Sequence, residues 1–265
     1  MVGTQVFVSL IICAVLAFAL PVAALIVYKL KFRKASLLSA LIGAATFILF
    51  ALVLEQLLHL VMLPVVSGST AAYVIYGVMA AGIFEETGRF ISCRLLMKKR
   101  SDNVNAVMMG IGHGGIEAIL LIGIGTISYI SLAALVNSVG VEGIAEMSGI
   151  TDEANIALLN AQADSIAAFS FTTVLATILE RILAMTLHIS ASVIVMKAAS
   201  VKGKLWLYPA AVLLHALFDV PSALYQRQVI TSLWVTQLLL AVMAAGAVFA
   251  AVKASKINSN EPISA

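Results

Sequence analysis

Between Val6 and Val252 the chain falls into seven apolar stretches, several of which reach or exceed the roughly 20 residues that a membrane-spanning helix needs. That feature constrains the fold more than any other. Backbone polar groups cannot be left unpaired in lipid, so such stretches must close their hydrogen bonds as helices. Only 11% of the 265 residues are charged, against about 25% in an ordinary soluble domain. The expectation is an all-α polytopic membrane helix bundle, with residues 1–265 as one transmembrane domain.

The spacing predicts helices over about Val6–Tyr28, Ala35–Met62, Ala71–Met97, Val104–Val136, Ile166–Met196, Leu205–Leu224 and Val229–Val252. Pro21 is expected to kink the first and Pro64 to end the second. No basic residue precedes the first run and no small-residue cleavage site follows it, so it is expected to stay as a helix and not to leave as a signal peptide. The stretch from Ser138 to Ser165 carries five acids and no Lys or Arg. It reads either as a solvated acidic loop or as a surface helix starting near Thr151-Asp152-Glu153, with a stripe of Ile156, Leu159, Ala163 and Ile166. Cys13 and Cys93 both sit in apolar runs and read as buried core residues rather than a disulfide. No basic stripe with interleaved aromatics is present, so no nucleic-acid partner is expected.

Lys and Arg gather in alternate loops, at 29–34, 94–100, 197–204 and 253–256. The positive-inside rule then places the N-terminus outside and the C-terminus in the cytoplasm, in a multi-pass protein of a bacterial plasma membrane.

Against this background the run Gly82-Ile-Phe-Glu-Glu-Thr-Gly-Arg-Phe90 is anomalous. A charge at mid-bilayer costs several kcal/mol, so Glu85, Glu86 and Arg89 must be paired, wetted or used. Three later helices carry similar residues: His113 and Glu117, then Glu180, Arg181 and His188, then His215 and Asp219. Counted from the basic end of its own helix, Glu85 stands 13 residues in, Glu86 12, His113 13, His188 9 and His215 11. At about 1.5 Å per residue these fall roughly 14–20 Å from the boundary, in one slab of the membrane. Glu117, Glu180, Arg181 and Asp219 form a second tier about a turn further out.

Three imidazoles and a water form a ligand set that catalytic Zn²⁺ accepts. The metal would acidify its water, and Glu85 or Glu86 would take the proton. Arg89 would hold the other glutamate ionised. Glu117 and Asp219 would orient the histidines or replace one as ligand, and Arg181 would offset the outer acids. Glu55 and His59, an i, i+4 pair nearer the outer face, read as an interfacial or packing pair.

Glu85-Glu-Thr-Gly-Arg89, Gly112-His-Gly-Gly-Ile-Glu117, Glu180-Arg181 with His188, and His215-Ala-Leu-Phe-Asp219 resemble the motifs of the YhfC family of intramembrane metalloproteases. That family is similar to the CAAX-protease, bacteriocin-processing and PrsW-type enzymes. The resemblance implies Glu85 as general base. It matches His113 and His215 to the widely shared metal-site histidines, and His188 to a YhfC-type feature. It also implies one divalent metal, Zn²⁺, and a membrane-embedded or lipid-modified peptide or protein as substrate. Asp219 stands where the CAAX type has Asn, which argues against carrying over prenyl-protein substrates. His-Glu-x-x-His, Gly-x-Ser-Gly and Gly-x-Gly-Asp are absent from the sequence, which excludes the site-2, rhomboid and presenilin types. The rival readings are a transporter or channel with a buried Glu/His/Asp relay, and a non-catalytic scaffold.

Overall fold

The computed structural model describes residues 1–257; the polar tail beyond them lies outside the described residues. All the long elements are helices: α1 (Thr4–Lys31), α2 (Leu37–Val66), α3 (Thr70–Leu95), α4 (Asn103–Met147), α5 (Glu153–Ala167), α6 (Phe171–Ser200), α7 (Leu207–Gln226) and α8 (Leu233–Ser255). Six of them, α1, α2, α4, α6, α7 and α8, are long and apolar enough to cross a membrane. The 26-residue α3 differs from these in carrying Glu85, Glu86 and Arg89. The chain is therefore a polytopic membrane helix bundle.

Several boundaries differ from the sequence reading, each for a local reason. Helix α2 runs through Pro64 to Val66, and the Ser67 amide still closes on the Leu63 carbonyl at 2.9 Å. Helix α6 begins at Phe171, not Ile166. Ile166 is buried as the last member of the apolar stripe of α5, and Ser170 Oγ accepts from the Thr173 amide at the new start. Helix α8 begins at Leu233, where Ser232 caps it, because Gln228 takes a positive φ of 58° and ends the preceding turn. Helix α4 continues beyond Val136 to Met147, with a break at Gly140 (φ 72°). The acidic stretch is a helix, α5. Asp152 caps it by accepting from the Asn155 amide at 2.9 Å. Two stretches, Ile48–Glu55 in α2 and Ala118–Ile124 in α4, have π-helical hydrogen bonding. Cys13 and Cys93 are free and buried.

The chain divides into two compact units. One comprises Met1–Leu20 and Ala118–Leu179. Its core is Val2, Leu10, Ala133 and Ile166, and the Asn137 amide clasps the Val2 backbone at 2.6 and 2.8 Å.

The other unit, Pro21–Glu117 and Glu180–Ala265, carries the buried polar residues. Small residues let its helices approach closely. A Cβ at Gly112 of α4 would overlap the Ala40 carbonyl of α2, and one at Gly82 of α3 would stand 2.7 Å from the Val212 carbonyl of α7. Its basic loops collect at one end. Arg94 donates to the Ala199 carbonyl at 3.1 Å, Lys197 to the Ile257 carbonyl at 3.1 Å, and Tyr28 to the Val104 carbonyl at 3.2 Å. Just inside that end lies an apolar layer built on Met97, Met109, Met196 and Ala211, all fully buried.

Candidate active site

Glu85 and Glu86 are adjacent on α3, so their side chains leave the helix about 100° apart and enter different surroundings. Glu86 and Arg89, one turn on, are both fully buried. Arg89 Nη1 donates to Glu86 Oε1. The same oxygen lies 2.7 Å from His215 Nδ1. Glu86 thus joins a guanidinium and an imidazole and does not line the cavity.

Glu85 points the other way. Its Oε2 lies 2.8 Å from His113 Nε2, 3.8 Å from His188 Nδ1 and 3.9 Å from His215 Nε2. One carboxylate oxygen therefore sits where nitrogens from three helices converge. Ligand atoms of Glu85, His113 and His188 all lie within 4.8 Å of one another. The nitrogens of His215 stand outside that tightest group, although its ring packs edge-on to His188 with centroids 5.3 Å apart.

The partners behind the histidines decide which nitrogen carries a lone pair. Arg89 Nη2 lies 3.1 Å from His188 Nδ1. A guanidinium can only donate, so this Nδ1 accepts, and in the neutral ring Nε2 carries the proton. That Nε2 lies 2.5 Å from Glu117 Oε2, off the axis of a well-aligned hydrogen bond, so the contact is mainly electrostatic. In His215 the Glu86 carboxylate can only accept, so Nδ1 donates, and in the neutral ring Nε2 keeps its lone pair, 3.5 Å from Asp219 Oδ2. A carboxylate behind each of these imidazoles is the arrangement that orients histidine ligands in metal sites. His113 lacks it: its Nδ1 is buried without a hydrogen-bond partner, and Phe47 packs edge-on to the ring.

The outer tier is held together by Arg181, which donates to Glu117 Oε1 at 2.6 Å and to Glu180 Oε1 at 2.8 Å. Gln237 of α8 approaches the other Glu180 oxygen at 3.4 Å. Glu85, Glu117, Glu180, Arg181, His188, His215 and Asp219 all line one cavity of about 330 Å³.

The glycines around His113 have an identifiable task. A Cβ at Gly110 would meet the Ile189 backbone, and one at Gly114 would stand 3.0 Å from the His188 ring, so α4 can lie directly on α6 beside the site. Thr87 and Gly88 serve spacing. Thr87 Oγ1 hydrogen-bonds Tyr208 Oη at 2.7 Å, and a Cβ at Gly88 would overlap the Phe50 ring.

Sequence reasoning undervalued one group. Glu55 and His59 do pair, at 3.3 Å, and His59 Nδ1 lies 2.7 Å from Tyr76 Oη. Yet His59 also lines the cavity. Its i, i+4 partner was visible in the sequence, but its facing was not, because the π-helical stretch ending at Glu55 shifts the register of the residues that follow.

Comparison with known proteins agrees with this geometry. A family model described as YhfC intramembrane metalloprotease matches residues 16–240. A protein of Bacillus subtilis (strain 168) named "Uncharacterized membrane protein YhfC" is 36% identical over 263 residues, covering 97% of this chain and 99% of its own. No solved structure matches.

Proposed function

Because the chain belongs to the YhfC intramembrane metalloprotease family, we propose that it is a metal-dependent endopeptidase of the plasma membrane that hydrolyses a peptide bond of a membrane-embedded or lipid-modified protein. The observation that carries this reading is the position of Glu85, which lines the cavity and whose Oε2 lies within 3.9 Å of a nitrogen from each of three imidazoles.

The donor set suits a single divalent ion such as Zn²⁺. Glu85, His113 and His188 each offer one ligand atom, and these lie within 4.8 Å of one another. In its neutral form His215 presents the Nε2 lone pair, whereas His188 Nδ1 accepts from Arg89 and His113 Nε2 stands 2.8 Å from Glu85 Oε2, so an ion held at those two nitrogens would replace both contacts. His113, His188 and His215 would hold the metal, with Glu85 within reach of the same centre. When bound, the ion would polarise a peptide carbonyl and make water a better acid.

The remaining steps belong to the chain's own groups. Glu85 takes the proton of the attacking water at Oε2 and returns it to the leaving amine. Glu86 is unsuited to that task, because it is fully buried away from the cavity lining, with Arg89 and His215 both on its Oε1. Its work is to fix the tautomer of His215. Arg89 holds Glu86 in place and occupies the His188 lone pair, a hydrogen bond that a metal would replace. Glu117 and Arg181 keep the far side of His188 in register.

The transport reading draws less support. None of the residues of the apolar layer around Met97, Met109 and Met196 lines the cavity, whereas a through-path would need polar groups there. The test compares new protein termini in membranes from cells with the wild-type chain and with Glu85→Gln. Termini present only with the wild type support hydrolysis, and identical sets in both would refute it.

A further inference from the structure

The cavity has a direction. Along α3 its lining runs from Glu85 through Gly77 to Tyr73, and along α7 from His215 through Ser222 to Gln226. Both paths lead away from the basic loops, and on α2 the lining passes from His59 to Leu63, near the end of that helix. Exposure rises the same way, from 7% at Glu85 to an exposed Gln226. In the opposite direction the fully buried Met97, Met109 and Met196 lie between the site and the end that carries Lys98–Arg100 and, in the last turn of α6, Lys197. Loops rich in Lys and Arg stay in the cytoplasm. The two ends of this unit are thus distinguished twice, once by charge and once by access.

Building on the proteolytic reading above, we propose that the site opens to the extracytoplasmic face, and that its substrates are polypeptide segments presented on that side of the membrane. An extended segment entering between His59 of α2 and Ser222 of α7 meets Asp219 and the Arg181 cluster before it reaches Glu85. A segment displayed only in the cytosol would have to cross the methionine layer.

Thiol labelling tests the opening without needing a substrate. In a Cys13→Ala, Cys93→Ala background, single cysteines are placed at Ser222 and Leu63 in the lining, and at Lys99 on the basic end. Intact cells are treated with a charged methanethiosulfonate that does not cross the membrane. Ser222→Cys and Leu63→Cys should react in intact cells, and Lys99→Cys only after permeabilisation. The reverse pattern would overturn the proposal. So would lining cysteines that stay unreactive in native protein on both sides but react after denaturation. Leu63→Cys, on a different helix, guards against misfolding of Ser222→Cys. The substrate class is read from termini that depend on Glu85, mapped in membranes and medium. Sites in extracytoplasmic segments support it, and sites in cytoplasmic loops overturn it. Outward labelling without any such termini would sink the proteolytic reading, and the substrate class with it, while leaving the opening itself established.

Discussion

Glu86 Oε1 and His215 Nδ1 lie 2.7 Å apart, and the same carboxylate oxygen accepts from Arg89. Both charged members of this chain, Glu86 and Arg89, have no solvent exposure. Removing one charge of a buried pair strands the other, which costs about 3–5 kcal/mol, whereas removing both with apolar replacements is often neutral. Glu86→Gln should therefore lower the thermal stability of the detergent-solubilised protein by about that amount. The double variant Glu86→Leu, Arg89→Met should recover most of it. Additive losses in the cycle formed by Glu86→Leu, Arg89→Met and their combination would show that the two residues do not act as a pair.

Glu85 makes the opposite prediction. Its neighbours are imidazoles, not a buried cation, and it faces the cavity. Glu85→Gln keeps the shape and an acceptor oxygen but cannot take a proton. Peptide-bond cleavage should fall by about 10²–10⁴-fold, with a melting temperature close to that of the wild type. A variant that unfolds, or one that cleaves normally, would contradict the role given to this residue.

Metal content offers a test independent of activity. Purified protein should retain about one divalent ion per chain, as a single catalytic site of this type does. Elemental analysis should show that ion lost after chelation and in both His113→Ala and His215→Ala. Glu180→Gln, further out beside Arg181, should keep it. Retention in His113→Ala would move the site away from Glu85.

The common depth of Glu85, His113, His188 and His215 was legible because each helix carries a basic residue at one end, and a rise of about 1.5 Å per residue turns sequence distance into height. The convergence of three imidazoles on Glu85 Oε2 accords with that count. Height alone does not say which way a side chain points. The division of labour between Glu85 and Glu86 depends on the rotation of α3 against α7, and neighbouring residues of a helix share nearly the same height. The facing of His59 was hidden by the π-helical stretch Ile48–Glu55, a change of hydrogen-bond register that leaves no mark in the composition of ILFALVLE. Periodicity alone does not locate the start of α6, because Ile166 satisfies the pattern of two successive helices, and the cap at Ser170 decides between them.

The close contact of α2 with α4 yields the last prediction. Gly112 precedes His113, and a methyl group in its place would run into the Ala40 carbonyl. Backbone cannot swing aside as a side chain can, so Gly112→Ala must separate the helices. Overpacking of this kind costs about 1–3 kcal/mol. It should also carry His113 away from Glu85, lowering metal retention and stability together. Gly246 of α8 provides the control. A methyl group there would meet no atom within 4 Å, and the residue sits inside a helix. Gly246→Ala should be neutral or stabilising by up to about 1 kcal/mol, from helix propensity alone. Thermal melts of the two variants, with metal analysis of each, separate close packing beside His113 from a general intolerance of substituted glycines in these helices. Equal effects at both positions would refute the assignment of Gly112 to the α2–α4 contact.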